Sequence, residues 1–306
     1  MDYTLIDWNE VWKRQMLKHF SVIGGKDCAV FWKRESAAEY WKMVQETQQE
    51  RIKKTIRGII LTRRSRVLDI GSGPGVLAIP LSRIVSHVTS IDPSAGMIGV
   101  LKEKTAEQGI TNVHCVLKRW EDVDITRDLY PPYDVVLASL SLGMYDIRES
   151  IHKMLDATSR FVYLFWFAGE PSWDVHARAL IPLLHGTDFQ PMPRCDVLFN
   201  VLYQMGIYPH VEVYPYQHLN VFASREEAIT YFAHRFGAST KRQREILGEY
   251  LAGILQNERG FLVLRSPATC LKMWWERSMV ERQALPSRTC DTKRGACAGS
   301  GAGHFQ

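Results

Sequence analysis

The sequence predicts an α/β protein built on a doubly wound, mostly parallel sheet, and three observations carry that expectation. From Arg66 onward, short β-branched apolar runs alternate with amphipathic stretches of helical period. A glycine-rich turn, Gly71-Ser72-Gly73-Pro74-Gly75, follows the first of these runs. An acid, Asp92, closes the second run, 23 positions after the Asp69 of the first. Repeated strand–helix units of this length give parallel strands with helices on both faces. The chain has 306 residues, 46% of them hydrophobic and 23% charged, enough for one large domain or two small ones.

In order, residues 1–60 read as an N-terminal helical cap. "SAAEYWKMVQETQQERIKKTIRGII" repeats apolar residues at helical spacing: Tyr40, Met43, Val44, Ile52, Ile56, Ile59 and Ile60. Residues 61–285 read as one domain. "RVLDI" is a buried strand, and "GVLAIPLSRIV" is helical in pattern, with Pro80 kinking it or ending its first turns. "HVTSID" is the next strand. "PSAGMIGVLKEKTAEQG" is a helix between Pro93-Ser94 and Gly109. "NVHCVL" and "YDVVLAS" are strands, "DIRESIHKMLDATS" a helix and "RFVYLFWF" the fifth strand. Four prolines, Pro171, Pro182, Pro191 and Pro193, make residues 169–207 an irregular helical insertion. "HVEVYPYQHLNVF" alternates like a strand. "SREEAITYFAHRF" is a helix opened by a capping box, Ser224 with Glu227. "KRQREILGEYLAGIL" is a further helix. "GFLVLRSPATCLKMWWER" is expected to form two strands around a Ser266-Pro267 turn. Residues 286–306 offer little to bury, which predicts a disordered tail.

Bulk properties exclude several classes. A net charge of +5 is modest for a dedicated nucleic-acid binder. The opening "MDYTLIDWNEVWK" lacks the pattern of a signal peptide, and "FVYLFWFAG" is too short to span a bilayer. Six scattered cysteines form no CxxC pair, which suits a reduced, cytoplasmic protein. Cys290 and Cys297 lack further ligands nearby, so no metal is expected.

The glycine turn departs from a dinucleotide cradle. Val76 stands where the third fingerprint glycine belongs, and Pro74 has no N–H to offer a phosphate. Asp69 would repel a pyrophosphate and attract a cation. No GxxxxGK[ST] is present. Asp92 stands where a carboxylate can accept both hydroxyls of a ribose. A ligand with a ribose, no phosphate at the turn and a positive group matches S-adenosyl-L-methionine (SAM).

Several motifs then fall in order. "VLDIGSGPGVLAIPL" resembles motif I of the class I SAM-dependent methyltransferases, and "VTSIDPSAGMIGVLKEKTAEQGITNV" resembles the segment that follows it. The resemblance runs from Arg66 to Phe167. It implies a Rossmann-like methyltransferase fold with a seven-stranded sheet. It also implies that Gly71, Ser72 and Gly73 meet the methionine end of the cofactor. Asp92 and Pro93 would hold the ribose, and Met97 would lie on the adenine. Trp120 and Glu121 become the adenine-edge contacts, although Arg119 occupies the position where the family usually has an acid. Ala138, Ser139 and Leu140 would lie beneath the methyl-transfer centre. Met97 and Trp120 read equally well as core residues. Pro131-Pro132-Tyr133 echoes the [DNS]PPY signature of amino methyltransferases, but it precedes its strand and Tyr130 replaces the polar residue, so it reads as a turn.

The acceptor belongs above the carboxyl ends of the strands. Candidates there are Tyr145, Glu170, Trp173, Asp174, His176, His185 and Arg194, with His176 or His185 as base and Tyr145 as a third catalytic candidate. Trp166, Phe167, Trp173 and Phe189 could wall a pocket or fill a core. Trp8, Trp12, Phe31, Trp32, Tyr40 and Trp41 form a candidate lid. The expected activity is methyl transfer to a small molecule. The alternatives are an RNA or protein methyltransferase using the basic stretch Arg51–Arg66, and a non-catalytic SAM-binding module. No membrane partner is expected, and the oligomeric state stays open.

Overall fold

The computed structural model describes residues 6–22 and 32–280. Phe31, Cys28, Cys290, Cys297 and the expected tail lie outside the described residues. One sheet organises the chain. Its strands are β1 (Arg66–Ile70), β2 (His87–Asp92), β3 (Val113–Leu117), β4 (Tyr133–Ser139), β5 (Thr158–Phe167), β6 (His210–Phe222), β7 (Gln256–Glu258) and β8 (Phe261–Glu276). The spatial order is β3-β2-β1-β4-β5-β8-β6, with β7 paired to β8. The first five strands are parallel, and β8 runs antiparallel between β5 and β6. The expected seven strands form that path, and the three-residue β7 adds a short hairpin.

The chain order reverses between β1 and β4, and ligands bind at such a switch point in open α/β sheets. Alternate residues of each strand feed opposite cores, as a period of two requires. Leu68, Ile70, Val136, Ala138, Val162 and Leu164 face one cluster. Val67, Val135, Leu137, Phe161, Tyr163 and Phe165 face the other.

Helices cover both faces. On the first lie α1 (Trp8–Val22), α7 (Ile147–Ala157) and α9 (Cys195–Gln204). Trp12 and Met16 of α1 are fully buried in the same cluster as Leu68. On the second face lie α2 (Arg34–Thr47), α3 (Gln49–Arg57), α4 (Ala78–Ser82) and α5 (Ala95–Glu107). The N-terminal helices are therefore built into both covering layers. A third cluster joins α8 (Ser172–His185), α10 (Arg225–Phe236) and α11 (Lys241–Ile254). A single turn, α6 (Ile125–Asp128), precedes β4.

Local chemistry explains most boundaries. Ser94 caps α5 by accepting from the Met97 N–H, and Asp146 caps α7 by accepting from Glu149. Pro80 lies in the first turn of α4, where its missing N–H costs no intrahelical bond. Thr240 and Gln243 make a full capping box on α11.

Four expectations need correction. The helix expected from Ser36 to Ile60 breaks at Gln48, which is buried and separates α2 from α3. Ser224 caps α10, but the Glu227 carboxylate accepts from the Ala223 N–H, so the box is not reciprocal. Ser266-Pro267 makes no turn: β8 is continuous for 16 residues. β5 pairs with β8 only from Cys270 onward, so Pro267 has a strand partner on the β6 side alone, and a proline is tolerated there. Residues 169–207 split: α8 joins the third cluster, whereas Val197, Leu198, Val201 and Leu202 of α9 fill the main core.

Candidate cofactor and acceptor site

A cavity of about 320 Å³ opens at the carboxyl ends of β1, β2 and β4. Asp69, Gly71, Ser72, Gly73, Asp92, Pro93, Met97, Trp120, Glu121 and Ser139 all line it, so the turn, the second acid and the third and fourth strand ends converge. Gly71 and Gly73 have φ of +69° and +55°, left-handed backbone that glycine adopts without penalty. A Cβ on Gly71 would stand 2.3 Å from Cβ of Ser141. Ser141 in turn donates from Oγ to the Ile70 carbonyl at 2.7 Å.

Asp92 fixes the turn. Its Oδ2 accepts from the Gly73 N–H at 2.9 Å and its Oδ1 from Ser94 at 2.8 Å. Burial pushes its carboxyl up, and these two N–H bonds oppose the shift. Asp69 lacks such help. It is buried, its Oδ2 has no hydrogen-bond partner among the described residues, and burial with the charge of Asp92 pushes it up to about 7. The Ser72 hydroxyl is likewise buried without a partner among the described residues. An orphaned buried carboxylate beside an open cavity fits a cationic ligand group.

Trp120 is held as a cavity wall. Its indole N–H donates to the Ser150 carbonyl at 3.1 Å, and Lys153 Nζ donates to the carbonyls of Trp120, Glu121 and Val123. It also belongs to the main core, so the wall and core readings both apply. Trp32 and Tyr40 line the cavity from the N-terminal side, where the Ser94 hydroxyl donates to the Trp32 carbonyl at 2.7 Å.

The family described as a methyltransferase domain matches residues 67–162. That stretch, from β1 into β5, is thus similar to a methyltransferase domain. An uncharacterised protein of Haemophilus influenzae is 33% identical over 141 residues, covering 46% of this chain and 50% of that protein. The ribosomal RNA small subunit methyltransferase G of Serratia proteamaculans is 28% identical over 116 residues, covering 36% of this chain and 54% of its own. The chain thus spans about half the length of these curated relatives. Among solved structures, the YcgJ protein of Bacillus subtilis superposes with a TM-score of 0.51 at 15% identity, covering 74% of this chain and 98% of that one. That likeness is one of fold.

The cavity excludes several candidates. Ala138 does not line it: the residue is fully buried in the core below. His176 and His185 lie on α8, away from the cavity. His176 Nδ1 bonds the Tyr250 hydroxyl at 2.8 Å, and His185 Nε2 bonds the Phe236 carbonyl at 2.7 Å. Tyr145 is exposed, with the Lys13 ammonium 5.9 Å above its ring. Glu170, Asp174 and Arg194 pair among themselves, and Glu170 also pairs with Arg178. Trp166 is core, its indole donating to the Pro193 carbonyl at 2.8 Å, and Phe189 belongs to the third cluster. Trp173 and Phe167 stack edge-on at 5.0 Å without reaching the cavity. Of the lid candidates among the described residues, Trp32 and Tyr40 line the cavity, while Trp12 is core. Tyr130 and Pro132 lend their carbonyls to Arg66 before β4, as a turn does.

Sequence reading missed Ser141, Met144 and Met192, which also line the cavity, and it gave Arg51, another lining residue, only as the start of a basic face. Only Ser141 carried a signal, since "LASLSL" follows the fourth strand. Among the described residues no helix is long and apolar enough to cross a membrane, and no group of acids, cysteines and histidines could hold a metal.

Proposed function

We propose that this chain is an enzyme that transfers a methyl group from SAM to a small-molecule acceptor. The observation that carries the reading is Asp69, a buried carboxylate that pairs with no cation among the described residues, set between the glycine turn and the ribose-type acid Asp92. SAM supplies an electrophilic methyl group on a sulfonium. The chain's own part is to hold and orient. Asp69 and the turn backbone receive the charged methionine end. Asp92, already holding the turn through Gly73, faces the ribose. Met97 and Trp120 wall the base. Such a site works mainly through positioning and exclusion of water, because the leaving group is good.

The fate of the basic stretch supports a small-molecule acceptor over RNA. Arg51 lines the cavity, and Arg66 is spent on the carbonyls of Tyr130 and Pro132. Lys53 pairs with Glu50 at 2.8 Å. Some relatives are named as ribosomal RNA methyltransferases, so the test has two arms. Calorimetry with SAM and with its demethylated product, SAH, should show binding of both. A titration with structured RNA at two salt concentrations should show no salt-sensitive binding. Failure of SAM and SAH to bind sinks the reading. Tight, salt-sensitive RNA binding redirects it to a nucleic-acid acceptor.

A further inference from the structure

A second cavity, about 290 Å³, lies between α3 and the β6–β8 pair. It adjoins the cofactor cavity through two links. Arg51 lines both. Ser139, which lines the cofactor cavity, is paired in register with Phe165 of β5, which lines the second one. The same row continues across the sheet to Lys272 of β8 and Glu212 of β6. A molecule in this cavity would lie one strand away from the end of β4.

Its chemistry is specific. Phe165, Tyr214 and Tyr216 supply aromatic wall. Arg51, Lys54 and Lys272 supply positive charge, but not equally. Lys272 is neutralised by Glu212 at 2.6 Å. Glu50, the other acid in the lining, is paired with Lys53. Among the described residues no carboxylate forms an ion pair with Arg51 or Lys54, although Glu212 stands near enough to Lys54 to feel its charge. The charged groups of Arg51 and Lys54 instead lie over aromatic rings, 5.6 Å from the Tyr216 centroid and 5.0 Å from that of Tyr214. Such contacts place a cation without cancelling it.

Arg51 is also positioned in advance. Its Nε donates to Gln48 Oε1 at 3.0 Å, and no described hydrogen bond uses its two terminal nitrogens. Gln48 is buried and held by His218 Nδ1 at 3.3 Å and the Tyr216 hydroxyl at 3.4 Å. The break between α2 and α3 thus has a use, since it sets an Arg fork at the junction of two cavities. A planar guanidinium fork suits an oxyanion held by two bonds.

We propose that the second cavity is the acceptor site and that it takes a small planar aromatic acid, its oxyanion on Arg51 and Lys54 and its ring between the tyrosines and Phe165. This rests on the methyltransferase reading above. A volume near 290 Å³ is at the small end for ligand pockets, which suits one ring system.

The test is calorimetry on the full chain, with and without saturating SAH. The probes are 4-hydroxybenzoate, phenyl phosphate and the neutral 4-hydroxybenzamide. At least one of the two acids should bind ten times more tightly than the amide, and which one binds tells carboxylate from phosphate. Arg51→Gln should weaken acid binding at least tenfold. Lys54→Gln should weaken it about threefold, while SAH affinity, read in parallel, stays within twofold. Thermal unfolding checks that each variant folds. If Arg51→Gln does not fold, the exposed Lys54 carries the test. Equal binding of acid and amide, no acid binding, or acid binding indifferent to both substitutions overturns the proposal. Loss of SAH binding with acid binding intact would instead refute the methyltransferase reading and leave the pocket standing.

Discussion

The backbone N–H of Gly73 donates to the Asp92 carboxylate at 2.9 Å, so the glycine turn after β1 is clasped by the end of β2. The acid has two tasks, to hold the turn and to face the ligand. Asp92→Ala leaves the Gly73 and Ser94 N–H groups without their acceptor, at a cost of roughly 1–3 kcal/mol. The variant is expected to fold with a lower Tm and to bind SAH at least ten times more weakly. Calorimetry on the folded variant decides: unchanged SAH affinity would remove Asp92 from the ribose assignment.

Asp69 predicts a pH signature. Its ordinary value is 3.8, and burial beside Asp92 raises it to about 7 in the folded chain. Between these values the folded state holds a proton that the unfolded chain has released. Stability from this group is therefore fully present below about pH 4 and is lost as pH rises through about 7. The ligand-free protein should lose Tm over that window, and Asp69→Asn should lose less. A cationic ligand favours the ionised form, so SAM binding near pH 7 should release protons. Calorimetry in two buffers of different ionisation enthalpy reads that release. The same Tm slope in wild type and variant would contradict the assignment.

Gly96 predicts how the N-terminal segment is seated. A Cβ there would come within 2.6 Å of the Trp32 carbonyl oxygen and 2.7 Å of the Lys33 carbonyl carbon. Both are backbone atoms, so Gly96→Ala must push residues 32–34 off α5 and shift Trp32 at the cavity. Gly99 is the control. Its Cβ would meet only the end of the Arg34 side chain at 3.4 Å, which can move. Gly99→Ala should stabilise the helix by roughly 0.5–1 kcal/mol. Gly96→Ala should lower both Tm and SAH affinity. If the two variants behave alike in unfolding and calorimetry, the docking of residues 32–34 is not what binds the segment down.

These residues also mark what a sequence can disclose. Asp69, the three glycines and Asp92 lie within 24 positions, and the strand–turn–helix period places them together. Covalent proximity did the assembling, so pattern and spacing were enough. The second cavity has no such shorthand. Arg51, Phe165, Tyr216 and Lys272 are brought together by the β5–β8–β6 register and by a helix break at Gln48. Pro267 read as a turn because a proline's ban from strands applies only where both sides are paired. The α8 histidines misled for a related reason: composition marks a segment as rich in functional groups but not which way its helix faces.

That helix supports the last prediction. His176 gives Nδ1 to the Tyr250 hydroxyl, and its Nε2 is buried with no hydrogen-bond partner among the described residues. Burial, aided by the charge of Arg235, pushes its imidazole below the ordinary 6.5, so it stays neutral at pH 7. It links α8 to α11 inside the third cluster and faces neither cavity. His176→Ala removes one neutral hydrogen bond and some packing, so it should cost about 1–2 kcal/mol. SAH affinity and turnover per folded molecule, measured as SAH formed with its acceptor, should stay within twofold. A general base contributes roughly a hundredfold or more. A loss of that size without a matching fall in Tm would return His176 to the reaction.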